Sequence, residues 1–231
     1  MASAIARFGG LFCALLACAV LGGCALTIAG KADPDSPSPA TPGNALVFGR
    51  INYVIDGKIR TPYSAFRPAW QAPFITAFQL ESGDPVQSHA VANEDGSFYW
   101  EFPPGHYVIS RIGVGTITDD FGTYIPWPRV AFRVPAGERV VYLGHLLLEG
   151  TSYSEPYTLS TGTKGTRKGI DYRFRTEDEM ESQLPRVAAW TSGARPSRSL
   201  FFHDPRMPIG ARLVEQWRAS RTAVIEHIFG K

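Results

Sequence analysis

The chain has 231 residues, of which 44% are hydrophobic and 12% aromatic, with 23 Gly and 18 Pro. This composition is sufficient for a folded core and is typical of turn-rich β proteins rather than helical bundles. A formal charge of only +2 gives no electrostatic footprint for nucleic acid, and because all three Cys lie within the first 24 residues, a disulfide framework or cysteine zinc site further along is excluded.

The first segment, residues 1–23, has the features of an export signal. Arg7 precedes an apolar run of 14 residues, Phe8–Leu21, which is shorter than the roughly 20 needed to span a bilayer. The run ends in "LGGC", which resembles the lipobox of bacterial lipoproteins. The resemblance implies that the signal is removed and that Cys24 is acylated. The alternative is a conventional signal in which Cys24 has no role.

Residues 24–44 are predicted to be the acylated cysteine and a flexible tether, because Pro, Ser, Asp and Gly dominate the stretch "KADPDSPSPATPGN". In the lipoproteins of Gram-negative bacteria that this stretch resembles, an Asp directly after the cysteine is a signal for retention in the inner membrane. Ala25 stands there in this chain. We therefore expect a lipid anchor in the outer membrane and a folded part that faces the periplasm.

Residues 45–150 show short apolar segments separated by turn signals. The clearest are "ALVFGRINYVI", "FITAFQLE", "SFYWEF", "HYVISRIGV", "RVAFRVP" and "ERVVYLGHLLLE". This pattern predicts a mainly β fold, an antiparallel seven-stranded sandwich. In the first segment the apolar positions change parity near Gly49, which predicts a bulge or bend there.

Several of these segments carry a family resemblance. "VFGRINY", "NEDGSFYWEFPPGHYVIS" and "FRVPAGERVVYLGHLLLE" follow one another in the order typical of the transthyretin-like, carboxypeptidase-regulatory-like sandwich. The resemblance covers about Ala45–Glu149 and implies a prealbumin-like sandwich. Since that fold serves structural and carbohydrate-binding roles among others, it does not define one function.

The C-terminal part is predicted to contain one or two helices. Residues 151–190 are interpreted as a loop plus a short helix packed on the sandwich, with Thr176 and Glu179 as a capping box and Pro185 near the helix end. Residues 191–231 are interpreted as a linker and an amphipathic helix. Its apolar stripe includes Trp217 and packs on the sandwich or, alternatively, lies on a membrane surface.

Residues with catalytic chemistry are sparse. The five histidines show no metal-ligand spacing, so we expect no metal site, no cofactor and no enzyme activity. His106 and His145 are interpreted as packed or rim histidines, and "FHDP" around His203 as a turn. "GTKGTRKG" at 162–169 is interpreted as a solvated, mobile loop, with an anion or partner contact as the alternative.

The loop Gly57–Pro73 contains the candidate contact residues Tyr63, Phe66, Arg67 and Trp70. Aromatic and arginine side chains concentrate binding energy at interfaces, and aromatic rings also stack on sugars. The structural alternative is that these rings cap the open end of the sandwich.

Together these features predict a non-enzymatic, membrane-anchored lipoprotein that serves as a partner-binding or structural module of the cell envelope. The expected partners are the lipid bilayer, through acylated Cys24, and an envelope protein. The alternative is a module that binds a carbohydrate or another small ligand with the aromatic 57–73 loop.

Overall fold

The structure is a computed structural model. It describes residues 27–36, 38–39, 41–60, 73–89, 91, 93–113 and 124–230, with the side chains of residues 60 and 167 excepted. The predicted signal and Cys24 lie outside these ranges, as do Tyr63, Phe66, Arg67 and Trp70.

Two mixed β-sheets form the body of the described chain. In sheet I the strand order is β1 (Thr27–Ile28), β6 (Pro85–Gln87), β5 (Ile75–Gln79), β8 (Gly105–Gly113), β10 (Val130–Val134) and β14 (Phe202–His203), with β9 (Tyr124–Pro126) also paired to β8. In sheet II the order is β12 (Lys164–Glu177), β11 (Val140–Thr158), β3 (Ala45–Ile55), β7 (Ser97–Phe102) and β2 (Gly30–Lys31), with β4 (Lys58–Arg60) on β3 and β13 (Ser197–Arg198) on β11.

The mainly β class is confirmed, whereas the purely antiparallel seven-stranded arrangement is wrong. β3 and β11, at the centre of sheet II, run parallel, and so do the short pairs β1–β6 and β11–β13. A parallel pair needs a long connection between its strands. Here that connection includes most of sheet I, a non-local feature that turn signals between neighbouring strands do not reveal.

The principal core lies between the sheets. Alternate residues of β7, namely Phe98, Trp100 and Phe102, point into it, and the rings of Phe98 and Trp100 stack at 3.9 Å between centroids. The turn Asp95-Gly96 precedes this strand, and Gly96 has φ of +81°, which favours glycine. The alternation of the sequence in this hairpin therefore corresponds directly to its inward and outward faces.

Helices cover the outer faces of both sheets. On sheet II lie α1 (Met180–Gln183), a 3-10 turn (Leu184–Val187) and α2 (Ala188–Thr191), whose buried residues pack on Phe48 and Tyr142. On sheet I lie α3 (Gly210–Ala219) and α4 (Arg221–Phe229), which pack on Val108 and Ala131. Trp217 lies against sheet I and donates from Nε1 to the carbonyl of Leu80 at 2.7 Å.

The interpretation of residues 24–44 as a flexible tether requires correction. β1 pairs with β6 of sheet I, and β2, two residues later, pairs with β7 of sheet II. Ala29 between them is 2% exposed, and the indole of Trp190 donates to the carbonyl of Asp33 at 2.7 Å. Small residues allow the segment to cross from one sheet to the other at this edge, so residues 27–33 belong to the fold.

The interpretation of residues 151–190 as a loop plus a short helix is corrected for its first part. β11 continues to Thr158 and pairs with β12 in an unbroken antiparallel register from His145–Glu177 to Thr158–Lys164. Thr176 is therefore in a strand and cannot cap a helix. The helical segment begins after Glu179, where Asp178 Oδ1 accepts from Met180 N at 3.2 Å.

The bulge predicted near Gly49 of β3 lies in the neighbouring strand β11. β3 keeps its register with β7 from Ala45 to Arg50, whereas the register of β11 against β3 shifts between Tyr142 and His145. Leu143 and Gly144 thus form a bulge opposite Gly49. Within β3 the facing does not change: Ala45, Val47, Ile51, Tyr53 and Ile55 all belong to the inter-sheet core, whereas Leu46 and Phe48 belong to the helical layer. The apolar pattern changes parity because the outward positions after Gly49, Arg50 and Asn52, are polar.

The bulge depends on Gly144, which has φ of +90°. A Cβ there would lie 2.7 Å from Thr176 Cγ2, closer than side-chain atoms approach. We expect Gly144→Ala to lower the free energy of unfolding by about 1–3 kcal/mol, measured by chemical denaturation. Gly162→Ala is the control, because Gly162 has φ of +81° but no atom within 4 Å of its Cβ position. Equal losses for the two variants would contradict a steric role for Gly144.

Candidate functional site

The sites that the sequence singled out are distributed unevenly over the described structure. His106 forms a rim contact, because its Nδ1 lies 2.6 Å from Glu81 Oε1 and its backbone N–H also donates to that carboxylate. In "FHDP", Phe202 and His203 form β14, so the predicted turn begins only after them, where Asp204 Oδ1 accepts from Arg206 N at 2.8 Å. Neither arrangement gathers further titratable groups into a reactive constellation.

A buried polar cluster on sheet II is the first candidate site. The bulge at Gly144 reverses the facing of β11, so that Leu143 and Leu146 both point into the inter-sheet core while His145 points outward. A bulge characteristically redirects one side chain in this way. Opposite His145 lie Glu177 on β12 and Arg50 on β3.

Glu179 completes the cluster from the loop that precedes α1. Its backbone N–H donates to the Tyr142 hydroxyl at 2.8 Å, which fixes the position of this residue over sheet II. Burial raises the pKa of that hydroxyl to about 12, so Tyr142 remains a neutral phenol in this contact at ordinary pH.

The distances around the imidazole define the cluster. His145 Nε2 lies 2.8 Å from Asn52 Oδ1, and both residues are buried. On the other side of the ring, Nδ1 lies 3.2 Å from Glu179 Oε2 and 3.9 Å from Glu177 Oε2. Within the described residues, His145, Glu177 and Glu179 form a group whose potential metal-ligand atoms all lie within 4.8 Å of one another.

The electrostatic environment of the cluster is mixed. Burial lowers the pKa of His145 below its usual 6.5, and the nearby Arg50 acts in the same direction, whereas Glu179 and Glu177 act against them. Arg50 Nη1 donates to Glu179 Oε2 at 3.2 Å, and Arg175 pairs with Glu177. Each of the two carboxylates thus has an arginine partner, and the ring between them and Asn52 is held in one orientation.

The sequence contained one signal for this cluster that spacing rules overlooked. His145 is a polar residue within the otherwise apolar run Val140–Leu148, directly after a glycine. The interpretation of a packed histidine matches its burial but omits its carboxylate neighbours. The sequence predicts that a helix begins at the capping box Thr176–Glu179, so the approach of Glu177 and Glu179 to His145, more than 30 positions earlier, cannot be foreseen from it.

A protruding β-ribbon is the second candidate site. We use this name for residues 151–158 of β11 and 164–171 of β12. β3 ends its pairing with β11 at Gly150, and Ser152 then donates to the Asp56 carboxylate from its backbone N at 2.9 Å and from its hydroxyl at 2.8 Å. Beyond these bonds β11 and β12 continue as a pair. The sequence "GTKGTRKG", interpreted as a mobile loop, contributes to β12 from Lys164 onward, and that interpretation is corrected here.

The ribbon has two different faces. Tyr153 and Tyr157 stand directly opposite Gly169 and Gly165, and a Cβ on either glycine would lie within 2.8 Å of the facing ring. These rings therefore cover glycine backbone, an arrangement that stabilises otherwise weak strand positions. The opposite face presents Ser and Thr hydroxyls with Lys164 and Lys168, all exposed.

Comparison of the chain with protein-family models, with curated proteins and with solved structures finds no match in any of the three. Among the described residues, no helix is both long and apolar enough to cross a bilayer.

The order of the ribbon is expected to depend on its aromatic pairs. Tyr157→Ala removes one cross-strand pair, which contributes roughly 0.2–1 kcal/mol. We expect faster amide hydrogen exchange at residues 155–167 and unchanged exchange in β3 and β7. Ser154→Ala, which alters the opposite face of the ribbon, is the matched control. Identical exchange in both variants would show that the rings do not order the ribbon.

Proposed function

We propose that the chain is a non-enzymatic, lipid-anchored module of the bacterial cell envelope that binds a protein partner through its β-ribbon. The observation that supports this proposal is a paired ribbon that extends beyond the last bond to the sandwich, where residues 154–158 are all exposed. Tyr157 is 44% exposed and Leu159 at the turn is 50% exposed.

The energetics of β-structure favour a binding role for this element. A two-stranded hairpin is marginally stable by itself in water and gains stability from a third strand or from packing on one face. From Ser152 to Thr158 the ribbon extends about 20 Å, at about 3.3 Å per residue. A partner that packs on the ribbon supplies the missing contacts.

The chemistry of the ribbon favours a protein as that partner. Tyrosine has a large apolar ring and a polar tip, and it is enriched at protein interfaces. β12 is an edge strand of sheet II as described, so its outer backbone groups offer a template for a further strand. Glu155 and Asp171 offset two of the three basic residues of the ribbon, Lys164, Arg167 and Lys168, so a purely electrostatic attraction to an anionic polymer is disfavoured.

The sequence supports the remaining parts of the proposal. The lipobox-like "LGGC" supports acylation of Cys24, and Ala25 supports an outer-membrane location facing the periplasm. Two or more acyl chains give stable anchoring, because each buried CH₂ contributes about 0.8 kcal/mol. The turns at Asp95-Gly96 and Pro104-Gly105, which flank β7, support a transthyretin-like origin for residues 45–149.

The lipid anchor is tested by metabolic labelling. In cells given a palmitate analogue, we expect the wild-type chain to be labelled and to sediment with outer membranes, whereas Cys24→Ala is neither labelled nor processed. Cys18→Ala, which changes another cysteine of the leader, should retain the label. Equal labelling of wild type and Cys24→Ala would refute the anchor.

The partner is tested by crosslinking in intact cells. A photoreactive phenylalanine analogue placed at Tyr157 is expected to give an adduct with another envelope protein, because this ring is exposed on the ribbon. The same analogue at Gln216, an exposed position on α3, is the control and should give none. Adducts of equal yield at the two positions, adducts only between copies of this chain, or no adduct at Tyr157 would each contradict the proposal.

A further inference from the structure

We propose that His145, Glu177 and Glu179 form a binding site for a divalent transition-metal ion, with Zn²⁺ favoured by the ligand types. This site is separate from the β-ribbon, and its presence does not depend on the function proposed above. It contradicts the expectation, drawn from histidine spacing, that the chain has no metal site.

The first support is the protonation pattern that the neighbours impose on the ring. Asn52 Oδ1 can only accept a hydrogen bond, so His145 Nε2, 2.8 Å away, must carry the proton. In the neutral ring, Nδ1 then has a lone pair and no hydrogen. That lone pair faces the acceptor oxygens Glu179 Oε2 at 3.2 Å and Glu177 Oε2 at 3.9 Å.

In this arrangement each carboxylate has an arginine partner, but the lone pair of Nδ1 has no hydrogen-bond donor. The His145 side chain is only 9% exposed, and its Nδ1 is buried without a hydrogen-bond partner in the described structure. A buried polar atom without a partner is unfavourable. Three electron-pair donors that converge on one point are instead stabilised by a cation placed between them.

The geometry suits a small, tetrahedral ion. Zinc lies about 2.0–2.2 Å from nitrogen and oxygen ligands, so that neighbouring ligand atoms in a tetrahedral site are about 3.3 Å apart. The separation of 3.2 Å already matches, and that of 3.9 Å requires only a small movement of Glu177, whose side chain is 37% exposed. Three protein ligands leave a fourth position for water or a ligand.

The surroundings orient the imidazole ring and leave one of the carboxylates open to solvent. The bond from Nε2 to Asn52 orients the imidazole, as the second ring nitrogen of metal-bound histidines commonly does. A surface pocket lined by Arg50, Asp178 and Glu179 leads to the cluster from solvent. An ion can therefore reach the Glu179 carboxylate, whose Oε2 lies 3.2 Å from Nδ1, directly from solvent.

Two arginines compete with the metal for the carboxylates. Arg50 Nη1 donates to Glu179, although the rest of this guanidinium is held by the Asp95 carbonyl, with Nε at 3.0 Å and Nη2 at 2.8 Å. Arg175 pairs with Glu177 and also with Glu149. Removing the exposed guanidinium of Arg175 should consequently tighten metal binding.

Direct titration tests the site. The full chain in detergent micelles, freed of metal by dialysis against a chelator, is titrated with Co²⁺, whose visible absorption reports tetrahedral coordination. We expect one ion per chain, displacement by Zn²⁺, and a rise of the melting temperature with Zn²⁺ concentration as the ion binds only the folded state. Glu177→Gln and Glu179→Gln should each weaken binding by about tenfold or more.

Matched variants make the test decisive. Glu149→Gln removes another carboxylate bonded to Arg175 but outside the cluster, and it should bind Co²⁺ at least as well as wild type. Arg175→Gln should bind more tightly. If no one-to-one binding occurs, or if binding persists unchanged in both Glu177→Gln and Glu179→Gln, the proposal is overturned. The proposal is also overturned if nitrogen NMR shows that both ring nitrogens of His145 are protonated and that Zn²⁺ does not displace the proton on Nδ1.

Discussion

The parallel pairing of β3 with β11 is the constraint on which the rest of the described structure depends. These strands occupy the middle of sheet II, and Leu143 and Gly144 together oppose the single residue Gly49. A Cβ on Gly49 would lie 2.4 Å from the carbonyl oxygen of Gly144, so the two backbones approach as closely as glycine allows. This contact determines which later residues of β11 point into the core and which point outward. It therefore places His145 on the same side of the sheet as the carboxylates.

Covering both faces of each sheet explains the hydrophobic pattern of the chain. A strand with one solvated face alternates strictly, whereas β3 and the first half of β11 are buried on both sides. The inward residues meet the opposite sheet, and the outward ones meet Trp190 and its neighbours in the helical layer. Polar residues on these strands are therefore exceptions, and Asn52 and His145, bonded to each other, are the clearest.

Much of the local structure could be predicted from the sequence, because it depends on neighbouring residues. The hairpin around Asp95-Gly96 and the inward row of β7 follow from turn chemistry and alternation alone. The end of α1 before Pro185 is of the same kind. In contrast, the pairing of β3 with β11 joins residues almost 100 positions apart, and Glu177 reaches His145 only because β12 continues as a strand. The candidate site consists of such long-range contacts, so histidine spacing could not reveal it.

Under the proposed lipid anchor, the crossing of residues 27–33 between the two sheets has a consequence for how the molecule is oriented on a membrane. If Cys24 is acylated, three peptide units separate the lipid from β1, a reach of about 10 Å at most. The sandwich then rests on the bilayer through the edge that contains β1 and β2. β12 lies at the far end of sheet II, four strand spacings or about 19 Å from β2. Such a short anchor restricts the tilt of the two sheets relative to the membrane and directs β12 away from the lipid.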